Sequence, residues 1–298
     1  MSDATVPVAT AAEPRTAWQP FSLGGVAAYA HASTGRLLLA QLIFALVSAG
    51  CFMSFLAVAW VPVIRESVHA LPDEASIAGA KLHWPGGEVI VLGEGARLAI
   101  VVDPHDAGAS GRAPSDLILE VCATRLKFRS GLGFVEWPYP PEWRVSLARA
   151  DLVPWWGARQ PWIVALAGAG FVVKLFLSWW ALALLGAPVA KLLAYFGDRS
   201  VTWAGCWRLA CAAWLPGSLV MSLAILLYGL EVLALPWVAF AFAAHFVVGA
   251  VYLCGAPFKL PRAAALKLPT PANVNPFAKP SHEAAAGGAP PTAPPASS

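Results

Sequence analysis

Four long runs of apolar residues constrain this chain more strongly than any other feature of its sequence. The first run, residues 37–64, contains no Asp, Glu, Lys or Arg, and a helix needs only about 20 apolar residues to cross a bilayer. It exceeds the roughly 7–15 apolar residues of a cleavable signal peptide, which favours a permanent anchor. Of the 298 residues, 58% are hydrophobic and 12% are charged, against about 25% charged in soluble proteins. The sequence therefore predicts that lipid solvates these runs.

The stretch between the first and second runs has a different character. Residues 65–161 contain ten Lys or Arg and twelve Asp or Glu. Short segments in which apolar and polar residues partly alternate are separated there by Gly, Pro and Asp, a pattern typical of strands joined by turns. The pattern predicts a water-facing, strand-rich domain, arranged as an antiparallel β-meander or a small sandwich.

Together these patterns predict the fold class: a membrane α-helical bundle of about four transmembrane helices with an inserted β-rich extracytoplasmic domain. The Pro-rich tail has little that could form a core, so we expect it to be disordered. The predicted segments are a cytoplasmic N-terminal segment (1–36), helix 1 (37–64), the β-rich domain (65–161), helix 2 (162–185), a cytoplasmic or interfacial loop (186–208), helix 3 (209–230), helix 4 (232–253) and a disordered cytoplasmic tail (261–298).

The distribution of cations predicts the orientation. Lys and Arg near the ends of spans are retained on the cytoplasmic side of a membrane. The segments on one predicted side carry nine cations, whereas the short connection on the other side carries Glu231 and no cation. We therefore expect a multi-pass protein of a bacterial cytoplasmic (inner) membrane, with both termini cytoplasmic. The nine cations are Arg15, Arg36, Lys191, Arg199, Arg208, Lys259, Arg262, Lys267 and Lys279.

One charged residue lies inside a predicted span. Lys174 is halfway along the second apolar run, where an ammonium is costly unless it faces protein or water. Counting residues from the span ends puts His245 of the fourth run within about one helical turn of the same depth. The two form a candidate intramembrane polar site. The alternative is that Lys174 reaches the interface or bonds to carbonyls and Ser178, and that His245 is a packed interior residue.

The water-facing domain carries a candidate partner surface but no recognisable catalytic centre. Phe134, Trp137, Tyr139 and Trp143 belong to an aromatic and proline-rich cluster that could bind a partner peptide or the bilayer surface. The alternative is that these residues pack the edge of a small domain. Neither a nucleophile elbow, a Walker loop, a dinucleotide fingerprint nor an HExxH motif occurs. We therefore predict no catalytic residue, metal site or cofactor, and the absence of a basic, aromatic-rich stretch excludes a nucleic-acid partner.

The layout resembles a family of uncharacterised bacterial polytopic membrane proteins, some of which are described as maltodextrin-utilisation accessory proteins. The resemblance lies in one apolar anchor followed by a domain with Leu71-Pro72, a Gly-bearing strand at 79–84 and an Ile-Val-Val-Asp strand end at 100–103, and then by a cluster of spans. It implies a bacterial cytoplasmic membrane and assigns no catalytic residue.

Three functions are compatible with these features. The first is an inner-membrane accessory or sensing protein whose extracytoplasmic domain binds a partner or ligand. The second is a small transporter or transporter subunit that uses Lys174 and His245. The third is a membrane-embedded enzyme acting on envelope or lipid substrates through residues such as Asp103, His105 or Glu136. The expected partners are the lipid bilayer and a membrane or envelope protein, and the oligomeric state is left open.

Overall fold

The structure, a computed structural model, describes residues 19–106, 114–131 and 133–262. The predicted tail lies outside these residues from position 263 onward, and the predicted N-terminal segment does so up to position 18. The described helices are α1 (Leu23–Ala28), α2 (Thr34–Phe55), α3 (Val61–Ala70), α4 (Arg149–Phe196), α5 (Trp203–Ala213), α6 (Leu215–Gly229) and α7 (Leu235–Gly255).

A single π turn joins α2 and α3 into one continuous helical segment. The turn spans Leu56–Trp60, and the Val61 N–H donates to the carbonyl of Leu56 rather than to that of Ala57. Pro62 follows at once and has no N–H, so the usual bond to the Val58 carbonyl cannot form. The wider turn absorbs this interruption, and π turns of this kind often mark functional positions.

Four helical segments of the described chain are long and apolar enough to cross a bilayer, judged by length and composition alone. They are Thr34–Ala70, Arg149–Phe196, Trp203–Gly229 and Leu235–Lys259. The first two contain the predicted helices 37–64 and 162–185 and extend beyond them. The third covers the predicted helix 209–230 except residue 230, and the fourth covers the predicted helix 232–253 except residues 232–234. The predicted loop 186–208 is largely helical, because α4 continues to Phe196 and α5 begins at Trp203.

Small side chains explain why the end of α4 is helical and buried. Ala183, Ala187, Ala190 and Ala194 recur at helical spacing along α4 and are buried in one cluster with α1 and α5. Small residues let two helices approach closely. The cluster also contains the buried stretch of α5, which therefore forms the centre of this end of the molecule.

In the described part of the chain, eight strands form two sheets. One sheet has the order β2-β1-β8 and the other the order β3-β4-β5-β6-β7. The strands are β1 (Ser76–Ala78), β2 (Lys81–His83), β3 (Ile90–Glu94), β4 (Ala99–Asp103), β5 (Leu117–Cys122), β6 (Arg125–Ser130), β7 (Gly133–Pro138) and β8 (Arg144–Ser146).

One strand pair departs from the predicted antiparallel meander. Strands β4 and β5 are parallel, with Ile100 opposite Leu119, whereas the other described pairs are antiparallel. A parallel pair needs a long connection that returns the chain to the same end of the sheet. The parallel pairing of β4 and β5 shows that the meander prediction is wrong at this point.

The predicted fold class, a membrane α-helical bundle with an inserted β-rich extracytoplasmic domain, is also wrong. The described residues form a mixed α/β fold with two sheets, and their helices and strands belong to one compact unit. Helix α3 packs directly on the larger sheet: a Cβ atom added to Gly93 would lie 2.5 Å from the Ser67 hydroxyl and 2.7 Å from the Val63 carbonyl. The strands therefore share interfaces with the helices and do not form a separate insertion.

Arg97 provides the second contact between the larger sheet and the helices. It lies in the β3–β4 turn and is only 9% exposed. Its guanidinium donates to the carbonyls of Tyr228 (3.0 Å) and Leu233 (2.7 Å) and to the Asp116 carboxylate (2.6 Å). It also lies 4.1 Å from the centroid of the Tyr228 ring. The Arg97 side chain thus connects the β3–β4 turn and the residue before β5 to the end of α6 and to the α6–α7 connection.

We expect Arg97→Met to lower the free energy of unfolding by about 3 kcal/mol, because removing one member of a buried ion pair leaves its partner uncompensated. The measurement is chemical unfolding of the purified full chain in detergent. Arg144→Met is the matched control, because Arg144 is exposed on β8 and should change stability little. Equal stability of the two variants would contradict the role assigned to Arg97.

Candidate functional site

A cavity of about 370 Å³ lies among four helices, α2, α4, α6 and α7. Its volume falls in the range of roughly 300–1,000 Å³ found for small-molecule sites. Much of its wall is aromatic or aliphatic. The polar side chains that line it are Ser48, Lys174, Ser178, Ser218, Ser222 and His245.

Lys174 contributes a positive charge to this wall without a fixed counter-ion. It forms no salt bridge with any described residue, and its Nζ lies 6.0 Å from the centroid of the Phe171 ring. The Ser178 hydroxyl donates to the backbone carbonyl of Lys174 at 2.8 Å, not to its ammonium. The neighbouring side chains Val173 and Leu177 are exposed and apolar. The ammonium therefore stands at the boundary between the cavity and an apolar outer surface.

His245 faces the same cavity from α7. Its Nδ1 is hydrogen-bonded to the backbone carbonyl of Phe242. Because a carbonyl oxygen can only accept, Nδ1 carries the proton, which leaves Nε2 as an acceptor in the neutral ring. The rings of Phe242 and Phe246 flank the imidazole, with centroid distances of 5.1 and 4.0 Å. The structure thus brings Lys174 and His245 to one cavity.

Close packing of α6 on α7 fixes the position of His245. A Cβ atom added to Gly217 would lie only 2.3 Å from the His245 carbonyl oxygen, so no larger residue fits there without a shift of the backbone. The Pro216-Gly217 pair of the third apolar run lies at the beginning of α6. This interruption therefore places two helix backbones in contact beside the cavity.

Three further serines in the cavity were not identified from the sequence. Ser48 and Ser222 hydrogen-bond to each other at 2.7 Å and connect α2 to α6. Ser218 donates to the carbonyl of Leu215 at 2.7 Å. The spacing of Ser218 and Ser222 puts them on one face of a helix, and that spacing in an apolar run was a usable signal. The hydroxyl oxygens of these serines give the cavity weak hydrogen-bond acceptors in addition to the Lys174 ammonium.

The aromatic residues predicted as a partner surface do not form one surface. Phe134 and Trp137 are both exposed on β7, but an odd separation along a strand puts their side chains on opposite faces of the sheet. Tyr139 is buried and donates its hydroxyl proton to the carbonyl of Cys122 at 2.9 Å. Trp143 lines a second, apolar cavity between the sheets. Only Tyr139 and Trp143 lie close together, with ring centroids 6.3 Å apart.

The residues considered for an enzyme have unsuitable surroundings. Asp103 is only 1% exposed, and Glu136 is neutralised by Arg125 at 3.4 Å and Lys127 at 3.8 Å. Asp106, next to His105 in the chain, forms a salt bridge with the same Arg125. Within the described ranges, no group of three or more His, Cys, Asp or Glu could hold a metal ion. These residues offer no free acid and base facing a cavity.

Cys122 is a buried thiol rather than an activated one. Burial, and then the negative charge of nearby Asp106, raises its pKa to about 12. A nucleophilic cysteine needs a lowered pKa, since the thiolate is the reactive form. Cys122 therefore lies at the end of β5 as a buried thiol whose pKa disfavours the thiolate.

At pH 8, Cys122 should react with iodoacetamide far more slowly than an introduced thiol at the exposed, nearby position of Thr124 (Thr124→Cys). The raised pKa keeps Cys122 protonated, whereas an ordinary thiol of pKa about 8.5 is partly ionised at this pH. Peptide mass spectrometry of the alkylated full chain measures both rates. Comparable rates would show that Cys122 is accessible and ionised.

Comparisons of the chain with protein-family models, with curated proteins and with solved structures find no match. The family resemblance stated from the sequence therefore stays a prediction, and function is inferred from geometry alone.

Proposed function

We propose that this chain is an accessory or sensing protein of a bacterial inner membrane, and that the helix-lined cavity is its ligand site. The single observation that carries the proposal is the ammonium of Lys174, which lines a ligand-sized cavity and has no counter-ion among the described residues. The four apolar helical segments support a multi-pass arrangement.

The cations at one end of the helices support the proposed orientation. Lys191, Arg199 and Arg208 lie at this end and donate to the backbone carbonyls of Val201, Leu260 and Ala30, respectively, rather than to carboxylates. Uncompensated cations of this kind mark the cytoplasmic side. The two sheets then lie on the opposite, extracytoplasmic side, and both termini are cytoplasmic.

The chemistry of the wall indicates the class of ligand. An ammonium surrounded by lipid and aromatic rings is strongly disfavoured unless an anion or water accompanies it. The aromatic rings of Phe171, Trp179, Trp214 and Phe246 would cover a flat or aliphatic body. A small molecule with one carboxylate or other anionic group on an apolar body satisfies both parts of the cavity.

A series of contacts that connects the cavity to the larger sheet supports a sensing role. Ser48 lines the cavity from α2, and the same helical segment continues through the π turn into α3, which packs on Gly93 of the larger sheet. Near the π turn, the Phe55 ring stacks on Tyr228 at 5.6 Å, and Tyr228 donates to Asp116. If the ligand binds more tightly when α2 is in one of two positions, it increases the population of that position. The contacts of α3 with the larger sheet would then shift the sheet as well.

The Lys174→Met variant should bind 2-naphthoate at least about tenfold more weakly than the native protein, a loss of about 1.4 kcal/mol of binding free energy. The carboxylate of this probe stands for the anionic group and its rings for the apolar body. Equilibrium dialysis of the purified full chain in lipid nanodiscs gives the dissociation constant.

Two controls make this test specific. Lys174→Arg keeps the charge and should retain most of the affinity, and Arg159→Met removes a cation from the same helix outside the cavity. The neutral amide 2-naphthamide should bind weakly to every variant. Equal binding of naphthoate to the native protein and to Lys174→Met, or no binding to either, would overturn the proposal.

A further inference from the structure

A second cavity of about 290 Å³ lies between the two sheets and α3. Among its fourteen lining residues, eleven are aliphatic, two are tryptophans and one is Ser67, whose hydroxyl donates to the Val63 carbonyl at 2.8 Å. A cavity with such walls does not hold ordered water and instead accepts apolar molecules. Its ligand must therefore be hydrocarbon.

The cavity reaches the surface on one side. Trp143 and Val145 belong to its wall and are exposed. A molecule can therefore enter without unfolding the sandwich of sheets.

The apolar face of the larger sheet continues beyond the cavity. Residues that are paired across strands lie on the same face. One row runs from Val102 through Val121 and Leu126 to Trp137, and the first three of these line the cavity.

A second row on the same face runs from Ile100, a cavity residue, through Leu119 and Phe128 to Val135. Phe128, Val135 and Trp137 are 41%, 65% and 61% exposed. An uncovered apolar track therefore leads from the edge of the sheet to the cavity.

The nearer row of the track lies two residues from the end of the sheet that is beside the helix ends. Tyr228, one residue before the end of α6, donates to Asp116 at 2.8 Å. Leu117 follows Asp116 and pairs with Ser130, which pairs in turn with Gly133. The β6–β7 turn is therefore level with the ends of α6 and α7. In the membrane placement proposed above, this level is the outer surface of the bilayer.

We propose that this apolar cavity binds one hydrocarbon chain of a membrane lipid, an acyl or isoprenoid chain, which enters over the face formed by Phe128, Val135 and Trp137. The inference rests on the proposed membrane placement and is independent of the Lys174 site. Lipid is the occupant because the track starts two residues from the end of the sheet that faces the bilayer and because the walls offer an incoming chain almost no polar partner.

The test uses the full chain in liposomes that contain a trace of phospholipid with a photoreactive diazirine near the end of one acyl chain. After illumination, mass spectrometry compares labelling of the cavity peptides around residues 121–126 and 143–147 with labelling of α7, which serves as the internal reference. The native protein should be labelled at both cavity peptides.

The Val121→Trp substitution fills the cavity and should lower this labelling ratio by about tenfold, equivalent to about 1.4 kcal/mol of lost binding free energy. Phe134→Trp adds the same ring system to the opposite, exposed face of the sheet and should leave the ratio unchanged. Near-UV circular dichroism checks that each variant is folded.

Because Val121→Trp alters a packed region, the double variant Val135→Ser/Trp137→Ser provides an independent test. Both residues are exposed, so the fold should persist while the labelling ratio falls. Lys174→Met should keep the native ratio, which separates this inference from the ligand site among the helices. The proposal would be overturned by label confined to the apolar helices. It would also be overturned by an unchanged labelling ratio in both Val121→Trp and the double variant Val135→Ser/Trp137→Ser.

Discussion

The arrangement of the larger sheet and the helices depends on the hydrogen bonds of the buried Arg97 guanidinium. A buried cation is tolerated when it is paired and hydrogen-bonded, and each of the three guanidinium nitrogens of Arg97 has a partner, either a backbone carbonyl or the Asp116 carboxylate. The carbonyls belong to Tyr228 and Leu233, at the connection between two long apolar helices. The larger sheet is thus fixed at the helix ends, which brings its apolar track close to them and aligns α3 with its first strand.

The greater part of the four long helical segments could be predicted from the sequence, whereas their bounds and their contacts with the strands could not. Apolar runs predicted the four long helical segments because length and hydrophobicity are local properties. The bundle with an inserted domain was wrong because the contacts that unite the parts involve backbone carbonyls at 228 and 233 and the close approach of Gly93 to α3. Every residue has a backbone carbonyl, so a sequence does not show which carbonyls accept such hydrogen bonds. The parallel pairing of β4 and β5 was missed for a similar reason, since either pairing fits the same alternation.

The candidate site was partly visible from the sequence. Lys174 stood out because a charge inside an apolar run is rare, and a residue count gave His245 a similar depth; the structure places both on one cavity wall. Ser48 and Trp214 were missed because serine and tryptophan are ordinary in apolar helices. The hydrocarbon-lined cavity was not visible at all, since its walls come from strands and a helix that are distant in sequence.

The central claim is that the Lys174 charge holds an anionic ligand among the helices. Native mass spectrometry of the full chain, released from the membranes in which it was produced, tests this claim most directly. The account predicts a bound small anion on the native protein that is absent from a Lys174→Met variant prepared in the same way. The same bound masses on both proteins, or an empty native protein, would contradict it.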